Sequence, residues 1–392
     1  MRNRNHVRLM SEGFSFHTLE LKISFRSHQQ FHEIVKHLKS LSSNTEFYEL
    51  EKYEGEKYFC GRFSKHGIRI YLSKHQDWYI VKLIINPRLL IDKKASYLGI
   101  MLSDEKSLEE MEHRFTDIMR KAHLPDFLDD WFLTRMDLCV NLQFDRKKLP
   151  LHLIQLISRG PAKNGFVCSQ YAYPSETHKG KSVNLEKHAV KFQNDRIALV
   201  LYDKAYQAKK ENIAIPDEMI TRGILRIELQ CGSRWISEQA AKHNVKSTHG
   251  KIALLSSNSR EYLMKYVNKL LISGEYCQLD EMIEKIKSAH GVGHKTKKRM
   301  EKLAVCMYKT QLDFNSCINQ MSREFSSKKI RRMLECFEEL KICPIPLNSG
   351  CKLSKILSIP DILELHGDDS LDIRFHTKKR KCMWHPLICC SE

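Results

Sequence analysis

The sequence has no hydrophobic run long enough to cross a membrane and no secretory signal. No stretch approaches the ~18 consecutive apolar residues that a membrane helix needs, and the basic start at residues 1–14 has no apolar core behind it. The 13 cysteines have no C-x-x-C pair and no regular spacing, which favours reduced thiols over disulfides or a zinc site. We therefore predict a soluble, cytoplasmic protein with no membrane partner.

Several common catalytic motifs are also missing. The chain has no G-x-x-x-x-G-K-[ST] phosphate loop and no G-x-G-x-x-G turn, so nucleotide hydrolysis and dinucleotide redox chemistry have no support. It has 19 histidines but no H-x-H pair and no H-E-x-x-H helix. Any bound metal ion would therefore have to use carboxylates.

Acidic residues are in deficit. The chain has 47 Asp+Glu against 65 Lys+Arg, which gives a formal net charge of +18. Such a surplus favours a polyanionic partner, because binding to phosphates releases condensed counterions. Nucleic acid is the first partner to test, and an anionic membrane surface or charge that serves only solubility is the alternative. The bias is strongest between residues 290 and 332, which contain 11 Lys/Arg and 3 Asp/Glu.

Hydrophobic periodicity predicts an α+β body over residues 15–235, mainly antiparallel sheet with helices on one face. The order strand, helix, strand, strand occurs twice before residue 232, which indicates a duplicated or two-lobed body. Strands are predicted at residues 16–25, 68–73, 78–85, 131–144, 166–173, 183–192, 196–203 and 223–231, and helices at residues 28–38, 107–125 and 150–158. The predicted domains are an N-terminal lobe at 1–130, a catalytic lobe at 131–235, a helical domain at 236–349 and a basic, cysteine-containing tail at 350–392.

The helical domain contains a candidate DNA-binding helix. Helical spacing predicts helices at residues 295–309, 312–321 and 326–341. The third has an apolar stripe and begins after Ser326 or Ser327, either of which suits an N-cap. We predict a plain or winged helix-turn-helix, and the alternative is a helical bundle with a solvated basic face. The candidate DNA contacts on this helix are Lys328, Lys329, Arg331 and Arg332.

Three segments of the catalytic lobe place polar side chains on strands. Because side chains alternate along a strand, one face of residues 131–144 carries Arg135, Asp137, Cys139 and Asn141, and one face of residues 223–231 carries Arg226, Glu228 and Gln230. Between them, an apolar strand ends in Tyr202-Asp203-Lys204. Taken singly, each segment also suits an ordinary salt bridge or a turn.

Together these segments suit phosphodiester transfer. An Asp and a Glu on facing strands can hold Mg²⁺ or Mn²⁺. A tyrosine hydroxyl, with a reference pKa of ~10, needs a cation or a base before it attacks phosphorus. Lys204 is a candidate for stabilising phosphate charge or for activating the tyrosine.

The three segments occur in the order TRMDLCVNLQF, RIALVLYDK and GILRIELQCGSRWI, followed by the helical region. In this order they resemble the replication initiators of filamentous phages and related plasmids (the gene II and X protein families), and more distantly the plasmid Rep_trans initiators and conjugative relaxases. The resemblance covers residues 130–345. It implies a nickase in a bacterial host that joins a tyrosine to the 5′ phosphate and leaves a 3′ hydroxyl to prime rolling-circle replication. It implies origin DNA, as duplex and as nicked single strand, and a host helicase as partners.

Carried over by position, the resemblance implies that Tyr202 is the nucleophile and that Asp137 and Glu228 hold the metal. Tyr206 is a second candidate, because a Tyr-x-x-x-Tyr pair performs two successive transfers in some initiators. Tyr171 and Tyr173 are further candidates. Charge on the phosphate would be offset by Lys204, Arg135 and Arg226.

Two other classes of protein compete with a nickase. A non-catalytic DNA-binding regulator would use the C-terminal helix-turn-helix and would leave the three strand segments as coincidence. A tyrosine recombinase is disfavoured, because no H-x-x-R segment lies near a C-terminal tyrosine.

Overall fold

The α+β fold predicted from the sequence is confirmed by the computed structural model, in which a large antiparallel sheet is combined with helices. The structure describes residues 5–10, 13–50, 56–95, 98–161, 165–170, 188–211, 213, 222–348, 351, 353–365 and 373–375. Tyr171 and Tyr173 lie outside these residues, as does most of the predicted tail. The chain forms two compact units, one mainly from residues 7–271 and the other mainly from residues 272–362. The four-part domain division stays a prediction.

The first unit contains the sheet. Its strands are β1 (Asn5–Leu9), β2 (Ser15–Phe25), β3 (Phe47–Glu49), β4 (Lys57–Cys60), β5 (Ile68–His75), β6 (Trp78–Ile85), β7 (Phe132–Phe144), β8 (Val167–Gln170), β9 (Ala189–Gln193), β10 (Ile197–Asp203) and β11 (Gly223–Gly232). Its helices are α1 (His28–Leu41), α2 (Pro87–Ile91), α3 (Glu105–Ala122), α4 (Leu149–Ser158), α5 (Lys204–Lys210), α6 (Ser233–Lys242), α7 (Thr248–Ser257) and α8 (Ser259–Leu270). The sheet order is β3-β4-β5-β6-β2-β7-β11-β10-β9-β8, and β1 also pairs with β7.

The two halves of the sheet have the same topology. In the first half, β2 is followed by α1 and four strands, and the order outward from the centre is β2-β6-β5-β4-β3. In the second half, β7 is followed by α4 and four strands, and the order is β7-β11-β10-β9-β8. The long strands β2 and β7 pair antiparallel at the centre. This is the topology of a duplicated body.

The first half of the sheet has a covered face and an open face. On β2, Leu19, Leu21 and Ile23 are buried. The same face of β6 carries Tyr79, whose ring lies 4.6 Å from that of Phe31 in α1. The intervening residues of β2 point to the opposite face, because side chains alternate along a strand. That opposite face carries partly exposed polar side chains.

The rest of the chain is mainly helical. It contains β12 (Glu275–Cys277), α9 (Leu279–Ser288), α10 (His294–Thr310), α11 (Phe314–Ser322), α12 (Ser327–Glu339), β13 (Lys355–Leu357), α13 (Ile359–Leu365) and β14 (Ile373–Phe375). Three of the helices match those predicted from periodicity, and a short antiparallel β12–β13 pair accompanies them. Ser326 occupies the N-cap position of α12 without a side-chain cap hydrogen bond. No helix in the described ranges is long and apolar enough to span a membrane.

Gly67 fixes a tight turn that leads into β5, and its substitution tests that packing. Its φ is +81°, and an added Cβ would lie 2.5 Å from the carbonyl oxygen of Asn86 and 2.9 Å from the amide nitrogen of Leu90. We expect Gly67→Ala to lower the free energy of unfolding in urea by about 2 kcal/mol or more, from backbone strain plus the clash. Gly165→Ala is the matched control, because its φ is +79° and nothing lies within 4 Å of the added Cβ. Equal losses of unfolding free energy in Gly67→Ala and Gly165→Ala would contradict the predicted clash at Gly67.

Candidate active site

A cleft of about 580 Å³ opens at the centre of the sheet. Side chains from β2, β7, β10 and β11 and from the first turn of α5 line it. Five residues predicted from the sequence are among them, namely Arg135, Asp137, Tyr202, Lys204 and Glu228. The structure therefore brings together side chains that are far apart along the chain.

Strand register explains this convergence. In the β7–β11 pair, Gln230 lies opposite Asp137 and Glu228 lies opposite Cys139. In the β10–β11 pair, Tyr202 lies opposite Arg226. Opposed residues share a face and every second residue returns to it, so Asp137, Glu228 and Tyr202 point to the same side.

Tyr202 and Glu228 form the closest pair in the cleft. The Tyr202 hydroxyl donates a hydrogen bond to Glu228 Oε1 at 2.5 Å, and the tyrosine is only 7% exposed. Burial raises the pKa of Tyr202 well above its usual value, and the charge of Glu228 raises this pKa further. The phenol is therefore protonated at neutral pH, and a carboxylate stands in position to accept its proton.

Arg226 lies beneath this pair and is completely buried. Its Nε donates to Asn141 Oδ1 at 2.7 Å, its Nη2 donates to the Leu98 carbonyl oxygen at 2.7 Å, and its Nη1 lies 3.9 Å from Glu228 Oε1. Its side chain does not line the cleft. Its charge acts on the cleft by balancing the charge of Glu228.

A second ion pair forms one wall of the cleft. Arg135 donates from Nε to Asp137 Oδ1 at 2.7 Å and from Nη2 to Asp137 Oδ2 at 2.6 Å, which is a bidentate geometry. Its Nη1 lies 3.3 Å from Glu20 Oε1. Burial raises the pKa of Asp137 to about 7, and the charge of Arg135 opposes that rise. Arg135 thus shares its charge between two carboxylates.

The metal site predicted from the sequence does not fit this arrangement. Both oxygens of Asp137 accept hydrogen bonds from Arg135, and Glu228 Oε1 accepts one from Tyr202. Among the residues that the structure describes, no group of three or more His, Cys, Asp or Glu side chains is arranged to hold a metal ion. A divalent cation at Asp137 would have to displace Arg135 from both carboxylate oxygens.

Tyr202 and Tyr206 are separated by the start of a helix. The side chain of Asp203 caps α5 and accepts from the Tyr206 amide at 3.0 Å. Tyr206 does not line the cleft, and its ring stacks on His188 at a centroid distance of 3.6 Å. In the sequence, Lys204 lies between the two tyrosines. Its Nζ donates to Gln207 Oε1 at 3.2 Å and lies 5.6 Å from the Tyr202 ring centroid. Burial lowers the pKa of Lys204 well below its usual value.

His17 lines the cleft, although the sequence did not single it out. Its Nδ1 lies 2.9 Å from Thr18 Oγ1 and 3.9 Å from Glu228 Oε1. Its Nε2 is buried and has no hydrogen-bond partner among the described residues. Burial lowers the pKa of His17 well below its usual value, and the positive charge of Arg226 lowers it further. The β2–β7 pairing shifts register between Phe16 and Thr18, and alternation alone does not reveal such a bulge.

The four cations predicted to hold DNA lie on α12, in the second unit. Lys328, Lys329, Arg331 and Arg332 are all exposed, while Ile330, Met333 and Phe337 of the same helix are buried. Arg332 also pairs with carboxylates of its own helix, at 2.7 Å from Glu339 and 3.4 Å from Glu335. The helix therefore presents a basic surface on which Arg332 is already partly neutralised.

Comparison with known proteins gives little further information. No family model matches the chain, and no curated protein matches it. Among solved structures, it is similar to a rolling circle replication initiator protein from Geobacillus stearothermophilus, with 10% sequence identity and a TM-score of 0.30. That match covers 66% of this chain and 85% of the other. A TM-score this low does not establish a shared fold.

Removal of the buried guanidinium tests its role in the site. We expect Arg226→Met to lower the free energy of unfolding by about 3–5 kcal/mol, because Glu228 would lose its buried countercharge. Adding Glu228→Gln to that variant should restore part of the loss, because the unpaired charge is removed. Urea unfolding measures both effects. The control is Arg114→Met, because Arg114 forms an exposed pair with Glu110 at 2.8 Å and its loss should change little.

Proposed function

We propose that this chain nicks one strand of DNA through a covalent tyrosine-5′-phosphate intermediate and so starts rolling-circle replication. The observation that carries the proposal is the hydrogen bond from Tyr202 to Glu228, inside a cleft that Arg135 and Lys204 also line. A nucleophile, its proton acceptor and cationic groups for the phosphate are the parts that a phosphodiester transferase needs.

The proposed reaction exchanges one phosphodiester bond for another. The Tyr202 oxygen attacks the scissile phosphorus as Glu228 accepts the phenolic proton. The bond from phosphorus to the 3′ oxygen breaks, and that oxygen takes up a proton from water to leave a free 3′ hydroxyl, while Glu228 later releases the phenolic proton to solvent. The 5′ phosphate stays on the tyrosine. No oxidant, reductant or nucleotide is consumed, which agrees with the missing phosphate loop and dinucleotide turn.

The cations of the cleft have separate roles in this proposal. Arg135 and Lys204 offset the charge that develops on the phosphate oxygens. Arg226 places its positive charge 3.9 Å from Oε1 of the buried Glu228 carboxylate, the group that accepts the proton in this proposal. The requirement for Mg²⁺ or Mn²⁺ stays a prediction, and so does a host helicase partner. Nicking assays with Mg²⁺, with Mn²⁺ and with EDTA test the metal requirement.

The nucleophile can be tested by removing one oxygen atom. We expect Tyr202→Phe to fold as the wild type does but to lose the covalent protein-DNA adduct by at least about a hundredfold, because the attacking group is gone. The substrate is supercoiled DNA that carries the region encoding and flanking the protein. Adducts are counted on denaturing gels, and folding is checked by thermal melting.

Tyr206→Phe is the matched control, because Tyr206 lies four residues away, against His188 and outside the cleft. It should keep full activity. An adduct that persists in Tyr202→Phe but not in Tyr206→Phe would overturn the choice of nucleophile. A wild-type protein that binds this DNA and never forms an adduct would favour the non-catalytic regulator.

Duplex binding by α12 predicts a graded response to salt. We expect Arg331→Gln to weaken duplex binding at every sequence and to reduce the slope of log K against log salt by about 0.9, the value for one phosphate contact. Arg332→Gln should have a smaller effect, because Glu335 and Glu339 already pair with that guanidinium. Titrations at several salt concentrations measure both slopes. Equal slopes in the two variants and the wild type would show that α12 does not contact the duplex.

A further inference from the structure

The open face of the first half of the sheet carries aromatic and basic side chains in a single row. Each member of the row lies opposite the next across a strand pair, so all of them project from the same face. From β3 to β7 the row consists of Tyr48, Phe59, Tyr71, Lys82, Lys22 and Phe132. We call these six residues the aromatic row.

Several rings on this face are accessible to solvent. Phe132 is 69% exposed and Tyr48 is 45% exposed. Trp78, on the same face of β6 as Lys82, is 42% exposed. The rings of Tyr48 and Phe59 lie 5.2 Å apart, and those of Phe59 and Tyr71 lie 5.1 Å apart. Cross-strand aromatic pairs stabilise a sheet by themselves, but that role does not require rings as exposed as those of Phe132 and Trp78.

Two lysines and an arginine lie beside these rings. Lys22 and Lys82 lie within the row, and the Arg26 guanidinium lies 4.6 Å from the Trp78 ring centroid. Glu20 faces the same side and pairs with Lys82 at 2.9 Å. A purely apolar patch would favour a protein partner, whereas rings beside cations suit a strand of unpaired bases and phosphates.

The aromatic row borders the cleft. On β5, Arg69 is two residues from Tyr71, so both project from the same face, and Arg69 lines the cleft. Glu20 and Arg135 line the same part of the cleft. A DNA strand bound on the row would therefore lie beside the cleft that contains Tyr202 and Glu228.

We propose that the aromatic row and Trp78 form a platform that binds single-stranded DNA by base stacking and delivers the strand to the cleft. Unpaired bases present flat faces to aromatic rings, whereas a duplex hides them. Delivery to the cleft rests on the function proposed above, but single-strand binding does not.

The test is fluorescence anisotropy with a labelled mixed-sequence single-stranded 20-mer and the full chain. We expect Phe132→Ala and Trp78→Ala each to bind it about 5- to 150-fold more weakly, which corresponds to the loss of one stacked base. Phe127→Ala is the matched control, because Phe127 is 66% exposed but lies outside the sheet. It should bind as the wild type does, and thermal melting should show that all three variants are folded.

Further probes separate stacking from charge. An abasic strand of the same length should bind the wild type weakly. Phe132→Ala should bind this abasic strand as weakly as the wild type does. Lys22→Gln should reduce the salt slope by about 0.7, the single-strand value for one phosphate. Wild-type affinity in Phe132→Ala and Trp78→Ala would overturn the platform, and so would an equal loss of duplex binding in those variants. Tyr202→Phe should bind the 20-mer normally, so failure of the nicking proposal and failure of the platform can be told apart.

Discussion

The buried Arg226 guanidinium is the interaction on which the centre of this protein depends. A full charge without contact with water is costly unless it is paired and hydrogen bonded. Arg226 donates hydrogen bonds to Asn141 on β7 and to the backbone at Leu98 and pairs with the carboxylate of Glu228, while its Nη1 has no hydrogen-bond partner among the described residues. The same contacts tie β11 to β7 and to the segment at residue 98. They also place a charged acceptor within 2.5 Å of the Tyr202 hydroxyl.

The repeated topology explains why the cleft lies where it does. Two halves of the same topology meet at β2 and β7, and the lining of the cleft comes from both. The halves differ in their side chains. The second half places buried Asn141 and Arg226 next to Tyr202 and Glu228, while the first half keeps an open face with aromatic and basic residues. In our proposals, the second half supplies the chemistry and the first half holds the strand.

Charge is organised differently in the two units. In the cleft, Arg135 pairs with Asp137, and beneath it Arg226 pairs with Glu228, so a phosphate would have to enter an existing network of ion pairs. On α12, Lys328, Lys329 and Arg331 are exposed to solvent. Paired and buried charges stabilise one geometry. Exposed cations attract phosphates over a longer range, and this attraction weakens as the salt concentration rises. The net charge of +18 therefore does not by itself describe the charge of the cleft or of α12.

Local sequence pattern determined the long strands β2, β5, β6, β7, β10 and β11, the helices α1, α3 and α4 and the polar faces of β7 and β11, but not the short strands β3 and β4. Alternation placed Asp137 and Glu228 on the right sides of their strands, and helical spacing identified α10 to α12, because both patterns repeat within a few residues. Only the tertiary structure decided which strands became neighbours. The register between distant strands placed Tyr202 close to Glu228, buried Arg226 and aligned the aromatic row. Tertiary packing also stacked Tyr206 on His188, and a bulge in β2 brought His17 into the cleft. Pairing between distant segments depends on packing of the whole sheet, and a one-residue shift would reverse every face, so local periodicity cannot specify it.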